Sequence, residues 1–181
     1  FIRGELLSRD YSKFKEFVIW AENNFWKKIK LKNKEKTNFQ NDCKEFYKNK
    51  TFERVKIYSN KLMKLDKIKR INNKEINGIK FMLNKVNWNK ISMGIASISH
   101  GDLHGSNIVF NDKSFYLLDW RESFNNNVKY GDIYYDLAKI KHGLIVNHEY
   151  VLKDKFELKI NKNLAKINIP QNLKMIDAIN F

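Results

Sequence analysis

The chain has 181 residues, of which 43% are apolar and 14% aromatic, enough to fill the core of one domain of ordinary size. No apolar run reaches the roughly 18 residues that a membrane-spanning helix requires, and the single cysteine, Cys43, excludes an internal disulfide. The first residues do not resemble a secretory signal, so we expect a cytoplasmic protein without a membrane span.

The formal net charge of +15 raises the question of nucleic-acid binding, because clustered lysines neutralise phosphates. The lysines are instead spread along predicted helices among Asn and Glu residues. A chain this rich in Lys, Asn and Ile is typical of AT-biased coding, which raises the charge without selecting a ligand. We therefore do not expect nucleic acid as a partner, whereas an anionic small substrate is compatible with the charge.

Apolar residues recur at helical spacing in the first half of the chain. The segments that show this pattern are residues 14–25, 39–47, 55–65 and 76–86. In the first of them, Phe14, Phe17 and Ala21 follow at intervals of 3 and 4. With a solvated polar loop at residues 27–36, the pattern predicts that residues 10–90 are helical.

A β-hairpin is predicted next. Two short apolar runs, residues 107–110 and 115–118, flank a polar turn. Asn107 enters the first strand and Asp119 leaves the second, so their side chains should finish near each other.

The rest of the chain should again be mostly helical. Asp132 is well placed to cap a helix over residues 133–144, and Pro170 suits the start of a last helix through residues 175–179. Because residues 151–160 alternate in part like a strand, we expect helices across residues 131–181 with a strand near 151–160.

The loop before the hairpin carries the candidate chemistry. Asp102 can accept or orient the proton of a hydroxyl group, while Asn107 and Asp119 supply the hard oxygen ligands that suit Mg²⁺. His100 is expected to brace the loop by tying its backbone to the Asp119 region. Phosphoryl transfer needs chiefly a held metal nucleotide and an aligned hydroxyl, so residues 91–122 have the parts of a phosphotransferase site.

Three blocks of this sequence resemble the aminoglycoside phosphotransferase and choline kinase superfamily. In chain order they are HGDLHGSNI from His100, LDW from Leu118 and GDIYYDLA from Gly131. The resemblance implies a protein-kinase-like fold, α+β and mainly helical, in which residues 1–181 form the larger, C-terminal lobe with a short hairpin at the catalytic site.

The same resemblance implies roles for single residues. Asp102 would be the catalytic base, and Asn107 and Asp119 would hold Mg²⁺ with ATP or another nucleoside triphosphate. Asp136 would brace the catalytic loop. The acceptor would be a hydroxyl of a small molecule, such as a sugar, an amino alcohol or a choline-like compound.

The acceptor itself is not specified by the motifs. The third block is most similar to bacterial members associated with surface-polysaccharide assembly, which favours a sugar-linked acceptor, and the net charge is compatible with an anionic one. His104, Trp120 and Glu122 are candidates for the substrate side. The alternatives are a hydrogen-bonded loop histidine for His104 and a surface ion pair for Glu122, while Trp120 could help to form an aromatic cage if the acceptor were a quaternary amine.

The sequence departs from the superfamily at its start. Nothing in it corresponds to the strand-rich small lobe, with its phosphate-pairing lysine, and residues 1–9 resemble the hinge that follows that lobe. We therefore expect the chain to be a fragment that begins at the hinge and shows little turnover by itself.

Two other functions stay open. The string GDLHG from Gly101 also resembles a signature of calcineurin-like metallophosphoesterases, and Asp132, Asn147 and His148 echo that family's later blocks. That interpretation leaves Asn107 and Asp119 without a role. The second alternative is a non-catalytic pseudokinase or binding lobe.

Overall fold

The computed structural model describes residues 3–111 and 114–171, without the side chains of residues 62 and 63. The α+β class predicted from the sequence is confirmed. The helices are α1 (Phe14–Trp20), α2 (Asn33–Lys44), α3 (Lys50–Ile57), α4 (Ser59–Leu65), α5 (Ile79–Lys85), α6 (Trp88–Ile91), α7 (Ile133–Ile145) and α8 (His148–Leu152). The strands are β1 (Glu5–Leu6), β2 (Arg70–Ile71), β3 (Lys74–Glu75), β4 (Ala96–Ser97), β5 (Ile108–Phe110), β6 (Phe115–Leu117), β7 (Gly131–Asp132), β8 (Glu157–Asn161) and β9 (Leu164–Asn168). Among the described residues, no helix has both the length and the apolar character that crossing a membrane requires.

The main apolar core lies beneath the loop that contains Asp102. Helix α1 contributes Phe14 and Phe17, whose burial agrees with the spacing of apolar residues in the sequence. Leu103 and Ile108 enter the same core from the loop and from β5, and both are fully buried. Burial of one such side chain stabilises the fold by about 1.5–3 kcal/mol, so the segment between them is anchored at both ends.

Strands β5 and β6 form the predicted hairpin. They pair antiparallel, with Ile108 opposite Leu117 and Phe110 opposite Phe115. β1 pairs antiparallel with the other edge of β5, which gives a three-stranded sheet in the order β1-β5-β6. The residue before β5 and the residues after β6 consequently lie at the same end of this sheet.

A short two-stranded ladder positions the start of α7. β4 pairs antiparallel with β7, and Ala96 lies opposite Asp132. Asp132 caps α7, because its carboxylate accepts from Tyr134 N at 3.1 Å. Since β4 leads into the loop at His100, this pairing brings the first turn of α7 against that loop.

The expectation that residues 10–90 are helical is wrong for one hairpin. β2 and β3 join the sheet β3-β2-β9-β8, in which β2 runs parallel to β9. Asn72 and Asn73 have φ of 47° and 68°, the left-handed conformation that a two-residue hairpin turn needs and that asparagine tolerates. Helical periodicity is a local signal, so it could not reveal pairing with a strand so far along the chain.

The expected strand near 151–160 is only partly correct. Its first two residues belong to α8, and the strand begins at Glu157 and pairs antiparallel with β9, which the sequence pattern did not predict. The polar segment 27–36 likewise becomes helical from Asn33, because the Glu35 side chain accepts from Lys32 N and caps α2. The predicted last helix lies mainly outside the described residues.

Candidate functional site

The buried carboxylate of Asp136, on α7, holds the loop backbone. It accepts from His100 N and Gly101 N, each at 2.8 Å, and from Trp26 Nε1 at 3.2 Å. Burial raises the pKa of Asp136 to about 6, although these three donors act in the opposite direction. The first turn of α7 therefore determines where the loop begins.

His100 links this loop to the segment around Asp119. Its buried ring places Nε2 2.6 Å from Leu118 O, and a carbonyl only accepts, so the proton lies on Nε2. The other ring nitrogen, Nδ1, accepts from Asp102 N at 3.2 Å. Burial lowers the pKa of His100, which favours this neutral form.

The backbone on both sides of Asp119 is tied to His100. Leu118 O receives the imidazole proton, and Arg121 N donates to His100 O at 3.0 Å. Gly101 packs so closely here that an added Cβ would lie 2.8 Å from the Cβ of Arg121, and its φ of +79° also requires glycine.

The backbones of Asn107 and Asp119 lie at the same end of the hairpin. Leu118 N donates to Asn107 O at 2.9 Å, which extends the β5–β6 pairing by one step. Asn107 Nδ2 donates to Asp102 O at 3.1 Å, so Oδ1 is the amide atom that can act as a metal ligand. Asp119 is exposed, has φ of +55°, and its charge acts to raise the pKa of both His100 and His104.

Asp102 is paired with a cation that the sequence analysis missed. Lys139 Nζ lies 2.5 Å from the buried Oδ1 in an ion pair, and His104 Nε2 is 4.0 Å from Oδ2. Burial acts to raise the pKa of Asp102, but Lys139, with His104 and Arg121, outweighs it and holds the pKa below its ordinary value. Asp102 is consequently ionised at neutral pH.

A sequence signal for Lys139 was nevertheless present. It follows Asp136 by three residues on α7, and residues three apart lie on the same helix face. Because Asp136 was predicted to contact the loop, Lys139, on the same face of α7, could have been predicted to contact it too.

The three candidates for the substrate side do not share one cleft. His104 lines a cleft that we term the Asp102 cleft, lined by Tyr11, Asp102, His104, Lys139, His142 and His148. Trp120 and Glu122 instead line a second cleft, on the side of Arg121 and Lys129. The Trp120 ring is half exposed and contacts the rings of Phe25 and His100, with centroids 5.2 and 5.4 Å apart.

The residues that match the metallophosphoesterase blocks make contacts in different parts of the fold. Asp132 accepts from Tyr47 OH at 2.7 Å and Ile95 N at 3.0 Å as well as capping α7, so its carboxylate is fully engaged. The His148 ring lies 6.1 Å from that of His104 across the Asp102 cleft. Among the described residues, no group of three or more His, Cys, Asp or Glu side chains is arranged to hold a metal ion.

No family model matches the chain, and no curated protein or solved structure matches it. Function must therefore be inferred from the contacts, distances and charges of the site. The resemblance to the phosphotransferase superfamily rests on the three sequence blocks alone.

Asp136→Ala tests how far the loop depends on this carboxylate. We expect the free energy of unfolding at pH 7.5 to fall by about 2–4 kcal/mol, because three buried N–H donors lose their acceptor at once. Urea denaturation measures this change, and Glu53→Ala, which removes an exposed carboxylate on α3, should stay within about 0.5 kcal/mol of the wild type. Equal unfolding midpoints for the two variants would contradict the role of Asp136.

The buried neutral ring of His100 should make stability depend on pH. Since its pKa in the folded chain lies below the ordinary value of 6.5, the unfolded chain binds the extra proton first, and stability falls as the pH drops below about 6.5. His100→Gln lacks this proton linkage but keeps a donor for Leu118 O. When the pH is lowered from 8 to 5.5, the urea midpoint of unfolding should therefore decrease more in the wild type than in the variant. An equal decrease in the two proteins would be inconsistent with a buried neutral His100.

Proposed function

We propose that this chain is the catalytic lobe of a small-molecule kinase of the aminoglycoside phosphotransferase and choline kinase superfamily. It would transfer the terminal phosphate of ATP, or of another nucleoside triphosphate, to a hydroxyl group. The observation that carries this proposal is the hydrogen-bond network of His100, which joins the loop of Asp102 to the backbone on both sides of Asp119. One network thus connects a base, an amide ligand and a second carboxylate.

Asp102 has the protonation state that a base requires. Its pKa lies below the ordinary value, so the carboxylate is ionised at neutral pH and can accept the proton of the attacking hydroxyl. In the reaction the hydroxyl oxygen bonds to the terminal phosphorus, the bond from that phosphorus to the bridging oxygen breaks, and the nucleoside diphosphate leaves. The proton released by the hydroxyl passes to Asp102.

Asn107 and Asp119 fit the needs of a magnesium ion. Mg²⁺ keeps several waters and phosphate oxygens, so two hard oxygen ligands from the protein are sufficient. Asn107 can offer Oδ1 because its Nδ2 is committed to Asp102 O. The bound ion would neutralise charge on the nucleotide phosphates, while the chain's own residues orient it.

Asp136 and His100 act as positioning residues in this proposal. Neither needs to contact the nucleotide, because both engage backbone groups of the loop or of the Asp119 segment. A catalytic aspartate that is displaced by about 1 Å loses much of its contribution to the rate. The many hydrogen bonds to the loop that contains Asp102 would prevent such a displacement.

The metal role of Asp119 is tested with Asp119→Asn. Asparagine tolerates the left-handed φ at this position, so the change removes the charge without straining the backbone. We expect magnesium-dependent binding of ATP to the chain, measured by calorimetry, to weaken at least about tenfold, or about 1.4 kcal/mol. Binding measured without Mg²⁺ should not distinguish the two proteins.

Asp154→Asn is a matched control, because Asp154 is also exposed and has φ of +50°. It should bind the magnesium nucleotide as the wild type does. Equal affinity of wild type and Asp119→Asn would refute the kinase proposal, and manganese-dependent phosphatase activity that needs His104 but not Asp119 would support the hydrolase instead. If neither Asp119-dependent binding of the magnesium nucleotide nor such phosphatase activity is found, the non-catalytic binding lobe is the remaining function.

A further inference from the structure

The Asp102 cleft is bounded by four parts of the chain. Helix α7 supplies Lys139 and His142, the loop supplies Asp102 and His104, and the segments before α1 and at the start of α8 supply Tyr11 and His148. All of these side chains are polar or ionisable, and they converge beside the carboxylate that we propose as the base.

The walls of this cleft are held in place by backbone contacts. Gly105 approaches Ser8 so closely that an added Cβ would lie 3.0 Å from Ser8 Cα, and Ser8 N donates to Gly105 O at 3.0 Å. Asn147 closes the other side, since its Nδ2 donates to Ser8 O at 3.4 Å and its Oδ1 accepts from Glu149 N at 2.8 Å. The backbone on these two sides of the cleft is therefore fixed by contacts within the chain.

The carboxylates in and beside the cleft are already paired. Of the described side chains that line it, Asp102 is the only carboxylate, and Lys139 neutralises it. Glu149, next to the cleft, accepts from Ser8 Oγ at 3.1 Å and pairs with Lys153 at 3.0 Å and Arg9 at 3.5 Å. A cationic ligand would have to displace one of these partners.

The other ionisable side chains of the lining can each donate a hydrogen bond. Burial raises the pKa of the Tyr11 hydroxyl to about 12, so it keeps its proton. His104, His142 and His148 line the same cleft, and an imidazole has at least one N–H to donate in either protonation state. The ammonium of Lys139 has three N–H donors, so it can contact a ligand while it stays paired with Asp102. This lining therefore suits a ligand that carries hydroxyls and a negative charge.

We propose that the Asp102 cleft is the acceptor site and that the acceptor is a hydroxylated small molecule bearing a carboxylate or phosphate group. Lys139 and the imidazoles of His104 and His148 bind the anionic group, and one hydroxyl reaches Asp102. This assignment rests on the kinase function proposed above, and among its acceptors it selects anionic sugars over amino alcohols and choline-like compounds. The net charge of +15 favours the approach of such a ligand.

A matched set of sugars tests the charge preference. Glucose, glucuronate, glucose 6-phosphate and glucosamine share one ring but carry neutral, anionic and cationic groups, and inorganic phosphate serves as a minimal anionic probe. Titrations of the 181-residue chain are followed through the histidine ring signals in NMR spectra. Glucuronate, glucose 6-phosphate or phosphate should shift the signals of His104 and His148 saturably, and glucosamine should bind at least about tenfold more weakly.

Substitutions at Lys139 distinguish specific binding in the Asp102 cleft from nonspecific attraction of anions by the positive net charge. Lys139→Ala should weaken binding of the anionic probe about tenfold or more, whereas Lys139→Arg should retain most of the affinity. Lys80→Ala removes the same charge from an exposed position on α5, away from the cleft, and should change nothing. Equal weakening by Lys139→Ala and Lys80→Ala would overturn the proposal, as would tighter binding of glucosamine or no saturable shift with any anion.

The nucleotide experiment with Asp119→Asn keeps the two proposals distinguishable. If magnesium-dependent ATP binding requires Asp119 while Lys139→Ala leaves anion binding unchanged, the acceptor assignment fails and the kinase function stands. If Lys139→Ala weakens anion binding but Asp119→Asn leaves magnesium-dependent ATP binding unchanged, the kinase function fails and the acceptor assignment fails with it.

Discussion

The carboxylate of Asp136 is the group on which the candidate site depends. Two of its three hydrogen-bond donors are consecutive backbone amides of the loop, and the third is the indole of Trp26 from the segment after α1. Leaving a buried N–H without an acceptor costs about 1–3 kcal/mol, so these bonds resist any displacement of the loop from α7. Burial makes ionisation of Asp136 less favourable, and the hydrogen bonds from the same three donors offset part of this cost.

The position of the loop is passed on to Asp119 through backbone groups. His100 is bonded before and after Asp119, and Gly101 and Asp119 both take left-handed φ values. A non-glycine residue in this region costs roughly 1 kcal/mol or more and persists where its neighbours determine it. At Asp119 the backbone conformation is determined by the β5–β6 hairpin and by the hydrogen bond from His100 to Leu118 O. The exposed carboxylate of Asp119 therefore has a defined backbone position.

The charges around Asp102 keep its carboxylate ionised and its cleft free of other carboxylates among the described lining residues. Lys139 lies three residues after Asp136, so one helix face both holds the loop and supplies the counter-charge of Asp102. The partial burial of Asp102 would by itself favour the neutral acid, and the ion pair reverses this preference. Burial, with Lys139, lowers the pKa of His104 and His142, although Asp102 and Asp119 act to raise that of His104.

Local sequence patterns were sufficient to predict the apolar face of α1, the hairpin of β5 and β6, the cap of α7 by Asp132, and the position of Asn107 and Asp119 at one end of that hairpin. Each follows from spacing or turn chemistry within a few residues, where the periodicity of helices and strands is decisive. The parallel pairing of β2 with β9, the separation of His104 from Trp120 into two clefts, and the ion pair of Lys139 with Asp102 could be seen only in the folded chain. These depend on which distant segments meet, and that is settled by burial of the whole core rather than by any local pattern.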